Sequence, residues 1–198
     1  MFKLVRFIMP LYPGLLISTK RNFEASASSE IHFALTEKLG LERSAIHVKN
    51  TGISGLITVE IKNNDILDII NQLKALEEDS AFYMHCLKIK PIQLVTKYEN
   101  DISIFGKVVE EKFLTNETTT SYKVVVEKRH SKLKSIDIIE QIAKVIPNPV
   151  NLNNPEWILL IEIIADIIGI SRMAPDTIFS TGKAFDQQTK EVENWFLN

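Results

Sequence analysis

Between Lys123 and Lys134 five basic side chains, Lys123, Lys128, Arg129, Lys132 and Lys134, stand against one acid, Glu127, and His130 adds a charge when protonated. Dense positive charge on a short exposed stretch suits a phosphate-bearing polymer. An ammonium neutralises a phosphate as a point charge, and a guanidinium can grip one with two parallel donors. An ordinary solvated loop carries such charges too, so composition leaves both readings open. Lys20 and Arg21, Lys88 and Lys90, and Arg172 are further cations that could extend the same face, with scattered surface charge as the competing reading.

Other reactive residue types point away from catalysis. The histidines at 32, 47, 85 and 130 form no pair with ligand spacing beside a carboxylate, so no metal site is expected. Cys86 is the single cysteine, which excludes an intrachain disulfide and a cysteine-rich zinc site. Its place in an apolar stretch suits a buried thiol better than a nucleophile. Gly52 and Ser54-Gly55 suggest a turn but build neither a P-loop nor a G-x-G-x-x-G fingerprint, so no cofactor is expected. Glu77-Glu78-Asp79 is a carboxylate run at a helix end. Acid–base work needs two such groups in contrasting environments, and a solvated run does not supply them.

The chain has 198 residues, 45% hydrophobic and 24% charged, with a formal net charge of −2. These values suit one medium or two small globular domains. The slight acidity argues against a protein that coats nucleic acid indiscriminately, while leaving room for a local basic face. The apolar run from Phe7 to Ile17 is interrupted by Pro10 and Pro13, so no signal peptide is expected. Trp157 to Ile170 is broken by Glu162 and Asp166 and is too short for a membrane span. Absence of disulfide capacity leads to the expectation of a cytoplasmic protein without a membrane partner.

The elements that position the cations follow from hydrophobic periodicity. Gly14 to Thr19 reads as a strand. Ser26 to Ser29 and Glu30 open a helix carrying Ile31, Leu35 and Leu39, closed by Gly40. Ala45 to Val48 is a short strand, and Ile57, Val59 and Ile61 alternate with polar residues as in a half-buried strand. Asn63-Asn64-Asp65 caps a helix with the stripe Ile66, Ile69, Ile70 and Leu73. Phe82 to Ile89 is a strand ended by Pro91. Two strand-helix-strand arms in this order predict a ferredoxin-like βαββαβ module with both helices on one face. Asp101 to Phe113 then reads as a connecting helix, Thr115 to Ser121 as a loop and Tyr122 to Val126 as a strand. Ser135 caps a helix carrying Ile138, Ile142 and Val145, ended by Pro147 and Pro149. Trp157 to Ile164 is a strand buried on both faces, joined by a tight turn at Ala165-Asp166 to a strand from Ile167 to Ser171. Past Ser180 the chain is polar up to Trp195-Phe196-Leu197 and reads as a short helix or loose tail.

An ordered set of these segments resembles the THUMP domain family. Ser121-Tyr122-Lys123-Val124-Val125-Val126-Glu127-Lys128-Arg129 is similar to the strand that opens such a domain, with basic residues after it. Pro149-Val150-Asn151-Leu152-Asn153-Asn154-Pro155-Glu156 resembles the family's turn. Trp157 to Ile163 resembles its buried strand, and Ile168-Gly169-Ile170-Ser171 its final strand. Asn151 stands where the family often has Asp. The likeness covers roughly residues 100–182, and the first half resembles the ferredoxin-like module that usually precedes THUMP. Pro175 to Ser180 is similar to a segment of the adaptors required for tRNA cytidine acetylation, where the chain also stops soon after THUMP.

The resemblance implies an α+β protein with a ferredoxin-like module at 1–97, an α/β THUMP domain with its linking helix at 98–182, and a tail at 183–198. It also implies that the modules together hold the acceptor stem and 3′ end of tRNA. With no room for a catalytic domain, the expected role is a non-catalytic, tRNA-binding adaptor that presents tRNA to a separate cytidine N4-acetyltransferase. The alternative is an RNA-binding subunit for another tRNA-modifying enzyme such as a methyltransferase. An enzyme with an undetected site, or a small-molecule-binding ferredoxin-like protein, stays a third reading.

Overall fold

A computed structural model describes residues 12–181 apart from residue 81. The expected tail at 183–198 lies outside the described residues. The chain divides into two units, one comprising residues up to Pro91 together with the segment from Thr177, the other Ile92–Asp176. The architecture is α+β.

In the first unit the elements run β1 (Gly14–Thr19), α1 (Glu24–Phe33), β2 (Ile46–Asn50), β3 (Leu56–Ile61), α2 (Ile66–Ser80) and β4 (Cys86–Ile92), with β9 (Phe179–Ser180) returning from the far end of the chain. Sheet order is β2-β3-β1-β4-β9, and its first four strands have the ferredoxin-like arrangement. Alternate residues Leu15, Ile17, Ile57 and Val59 share one core with Ala27 and Ile31 of α1 and Ile66, Ile69, Ile70 and Leu73 of α2. Both helices therefore lie on one sheet face, as the stripes predicted.

Several local expectations shift. Helix α1 begins at Glu24, ahead of the expected opening at Ser26 to Glu30, without a side-chain cap, and its last turn widens to π geometry over Ala34–Lys38. Gly40 closes it at φ +72°, where glycine carries no Cβ penalty. Asp65 caps α2 by accepting from the amides of Leu67 and Asp68 at 2.7 and 3.3 Å. Strand β3 is buried at every position instead of on one face. Pro91 lies within β4 rather than ending it.

The second unit contains β5 (Leu94–Lys97), α3 (Ile104–Lys112), β6 (Tyr122–Arg129), α4 (Ser135–Ala143), β7 (Trp157–Ile164) and β8 (Ile167–Met173). Sheet order is β5-β8-β7-β6, with β6 parallel to β7 and the other pairs antiparallel. Helices α3 and α4 pack with β7 and β8 in a core that includes Phe105, Val109, Ile138, Ile142, Trp157, Leu159, Ile161 and Ile170. Gly106 sets the approach of the helices, since a Cβ there would lie 2.9 Å from the Gln141 carbonyl oxygen. Leu94–Lys97 pairs with β8, so the structural division falls after Pro91, ahead of the expected boundary at residue 97.

Candidate nucleic-acid interface

Strand β6 is an edge strand, and its parallel register with β7 runs from Tyr122 opposite Trp157 to Arg129 opposite Ile164. Tyr122, Val124 and Val126 turn toward the helix-covered core. That leaves Lys123, Val125, Glu127 and Arg129 on the opposite face, by the two-residue period of a strand. The strand runs three residues beyond Val126, so Lys128 and Arg129 belong to it rather than to the following loop.

The loop after β6 is tightly built. His130 takes φ +56°, uncommon for a residue with a Cβ. The Lys128 ammonium donates to the Leu133 carbonyl, and the Leu133 amide donates to the Ser131 hydroxyl at 3.4 Å. Lys128, His130, Lys132 and Lys134 are exposed. Lys134 occupies the N-cap of α4 with extended backbone, and no side chain caps that end. Ser135, expected as the cap, is instead the first helical residue. The partial positive charge of the helix start thus follows Lys132 and Lys134, with Asp137 in the first turn as the one acid there.

The remaining predicted cations separate by environment. Lys123 is half-buried and donates to the Leu152 carbonyl at 3.2 Å. Arg129 reaches inward to Glu162, Nη1 to Oε2 at 3.0 Å, and is 3.9 Å from Glu127, so its charge serves an internal ion pair. Arg172 lies over the Trp157 ring at 4.2 Å and donates to the Phe113 carbonyl and the Thr115 hydroxyl. Lys90 is 2% exposed and offers no surface charge, contrary to the sequence expectation. Strand alternation gave no warning of this, because β4 is buried at every position from Ile89 to Ile92. Lys88 is half-buried opposite Ser180. Lys20 and Arg21 are exposed in the turn after β1. Glu24 accepts from the Gly55 amide at 2.5 Å, a bond that lowers its pKa and holds this turn against the 51–55 turn.

The structure thus gathers Lys128 at the end of β6 with His130, Lys132 and Lys134 on the loop after it in the second unit, and Lys20 and Arg21 on one turn of the first. Cys86 is fully buried, and burial pushes its thiol pKa upward, opposite to what a nucleophile needs. Sequence reasoning missed Lys112 and Gln93, which line a cleft with Arg172; they are 60 and 79 residues away from it in sequence, Gln93 meeting it through the pairing of β5 with β8 and Lys112 through the end of α3.

Residues 103–172 match the family described as THUMP domain, so the chain carries a THUMP domain across most of the second unit. A search of curated protein sequences finds no match. Among solved structures the chain is similar to TrmN from Thermus thermophilus, at 10% identity and a TM-score of 0.58, over 81% of this chain and 45% of that one. It is also similar to PH1313 from Pyrococcus horikoshii Ot3, at 12% identity and a TM-score of 0.53, over 82% and 55% of the two chains. A third is a 4-thiouridine synthetase solved with RNA and bound ATP, at 13% identity and a TM-score of 0.51, over 82% and 42%. The chain spans about half the length of these proteins. At such identities the likeness establishes a common fold.

Proposed function

We propose that this chain is a non-catalytic tRNA-binding adaptor that presents tRNA to a separate cytidine N4-acetyltransferase. The observation that carries the RNA-binding part is the THUMP domain whose edge strand ends in an exposed lysine loop at an uncapped helix start. The similarity in fold to a synthetase solved in complex with RNA supports it. Lysines on a fixed loop would hold phosphates of a stem by position rather than by base identity, recognising RNA through shape and backbone. The acetyl transfer to the exocyclic amine of cytidine belongs to the partner enzyme. This assignment rests on the likeness of Pro175 to Ser180 to a segment of the acetylation adaptors, added to the THUMP-like order of the segments before it. A tRNA partner and a single buried thiol fit a cytoplasmic protein.

Two measurements test the proposal. The purified chain should retard unmodified tRNA in a gel shift and turn over no acetyl-coenzyme A with it. Nucleoside mass spectrometry of tRNA from a deletion strain should show loss of N4-acetylcytidine. Loss of a methylated nucleoside, with acetylcytidine intact, would replace the acetyltransferase by a methyltransferase.

A further inference from the structure

The polar cleft lined by Arg172 lies in the THUMP-containing unit, away from the lysine loop. It has a volume of about 430 Å³ and is lined by Gln93, Lys112, Phe113, Thr115 and Arg172 among others. That falls within the roughly 300–1,000 Å³ range of small-ligand sites. Arg172 is opposite Leu159 in the sheet, and Leu159 is opposite Val124, whereas the lysine loop begins past Arg129, opposite Ile164. Five residues of strand separate the two levels, about 17 Å at about 3.3 Å per residue.

Arg172 is unusually placed for a cation. It is half-buried, and burial lowers its pKa. Among the described residues no carboxylate makes a close ion pair with it, and Glu117 acts on its charge only through space; its Nη1 donates to two neutral oxygens, the Phe113 carbonyl at 3.0 Å and the Thr115 hydroxyl at 3.1 Å. The Trp157 ring lies beneath it, and Tyr122 stacks on that ring at 5.0 Å. These contacts fix the plane of the guanidinium and leave Nε and Nη2 as donors. A half-buried charge with no counter-ion in direct contact gains from an anion that completes its hydrogen bonds. Gln93 accepts from the Arg172 amide through Oε1 at 2.7 Å, which leaves its Nε2 hydrogens as further donors. Lys112 adds a second cation; its 2.6 Å pair with the neighbouring Glu111 is exposed on both sides and therefore weak.

We infer that this cleft binds a phosphate group through Arg172, Gln93 and Lys112, as a second anchor point for the RNA chain about 17 Å along the sheet from the lysine loop. The inference rests on the RNA-binding reading above for its occupant, and on the cleft alone for its chemistry. The competing role for Arg172 is a keystone only: the negative end of α3 and the Trp157 face would stabilise the guanidinium without a ligand.

The test uses the full chain, wild type and two variants. Gln93→Glu keeps the acceptor for the Arg172 amide while placing a carboxylate beside the guanidinium; Lys112→Gln removes an exposed cation that makes no core contact. Both are checked for an unchanged melting curve, and Lys112→Gln suffices if Gln93→Glu unfolds. Inorganic phosphate should shift the Arg172 Nε–H and Gln93 side-chain amide NMR signals of the wild type, with the Gln93→Glu variant unresponsive. Affinity for tRNA should fall about tenfold in Gln93→Glu, the weight of one charge-assisted contact. The salt slope should become shallower by about one phosphate, roughly 0.7–0.9. If phosphate moves neither signal and both variants bind tRNA as the wild type does, Arg172 is a keystone and the site does not exist. If phosphate moves the signals but the variants bind tRNA unchanged, the cleft takes a free phosphate compound and the RNA anchor is wrong. If phosphate binds and no form of the chain binds tRNA, the RNA-binding reading fails while the phosphate site stands.

Discussion

Arg129 Nη1 lies 3.0 Å from Oε2 of Glu162, a carboxylate whose side chain is 0% exposed. The two residues are 33 positions apart and sit on adjacent parallel strands, Glu162 opposite Glu127 and Arg129 opposite Ile164. A basic residue in the middle of a charged run thus spends its charge inside the domain. Removing the guanidinium takes a charge-assisted bond away from a fully buried carboxylate, which is costly.

Replacing Arg129 with Ala should therefore destabilise the domain by about 3 kcal/mol, the usual cost of breaking a buried pair from one side. The double change Arg129→Met with Glu162→Gln should recover much of that loss, since both buried charges are then removed together. Urea unfolding of the three variants checks this. An Arg129→Ala midpoint equal to the wild type's would show that the pair contributes nothing to stability.

Lys132 and Lys134 should behave in the opposite way. Both are exposed, so their removal should change stability by less than about 0.5 kcal/mol. If each neutralises one phosphate, the double Ala variant should lower the slope of log affinity against log salt by roughly 1.4–1.8. Fluorescence anisotropy with tRNA at several salt concentrations measures the slope directly, and an unchanged slope would make this a solvated loop.

The sequence showed the elements well and the environments of single side chains poorly. The stripe Ile66, Ile69, Ile70 and Leu73 and the run Trp157–Ile164 fell where periodicity put them, because burial of an apolar face decides those positions. Thr58 and Glu60 misled the reading of β3, since they alternate with apolar residues as solvent-facing positions would. Both are buried, Glu60 held by the Lys49 ammonium at 2.7 Å. Pro91 misled the end of β4: β9 reaches only Lys88 and Ile89, so no donor is required of Pro91 on that side. At the candidate site, the exposure of Lys128 to Lys134 was legible from charge density. The inward turn of Arg129, the burial of Lys90 and the meeting of Gln93 with Arg172 were not, because each depends on strand register between distant segments.

Acid should act on the start of α3 within a narrow window. Asp101 accepts from the Ser103 hydroxyl and amide and from the Lys107 ammonium, and these bonds lower its pKa from the ordinary 3.8 to about 2. A carboxyl whose folded pKa is depressed adds stability above its unfolded pKa, and that stability is lost as pH falls through the folded value. The advantage of the wild type over Asp101→Asn should therefore be whole above pH 3.8, shrink below it and be gone below about pH 2. Paired unfolding curves between pH 5 and pH 2 read the difference, and a carboxyl carbon titration of Asp101 locates the midpoint; an ordinary midpoint would mean these bonds do not persist in solution.

Phe179 gives the last prediction, which concerns how the chain can be divided. The residue lies past the THUMP match, yet its side chain is 7% exposed and belongs to the core of the first unit. Its ring is 6.1 Å from that of Tyr83, its backbone pairs with Ile89, and the following Thr181 amide donates to the Leu87 carbonyl at 2.9 Å. A fragment ending at residue 97 would lack this strand and leave an apolar gap beside β4. It would also carry β5 away from β8, exposing the edge that Leu94–Lys97 covers. Phe179→Ala in the full chain imitates the first loss alone, and it should cost about 3–4 kcal/mol, in the range for deleting a buried aromatic ring. The same variant should leave the salt slope of RNA binding unchanged, because none of the exposed lysines of the β6 loop belongs to the unit it weakens. Thermal unfolding monitored beside anisotropy separates the two effects. A Phe179→Ala protein as stable as the wild type would show that β9 is a dispensable addition, and that the first unit can be cut free at residue 97 without loss of its core.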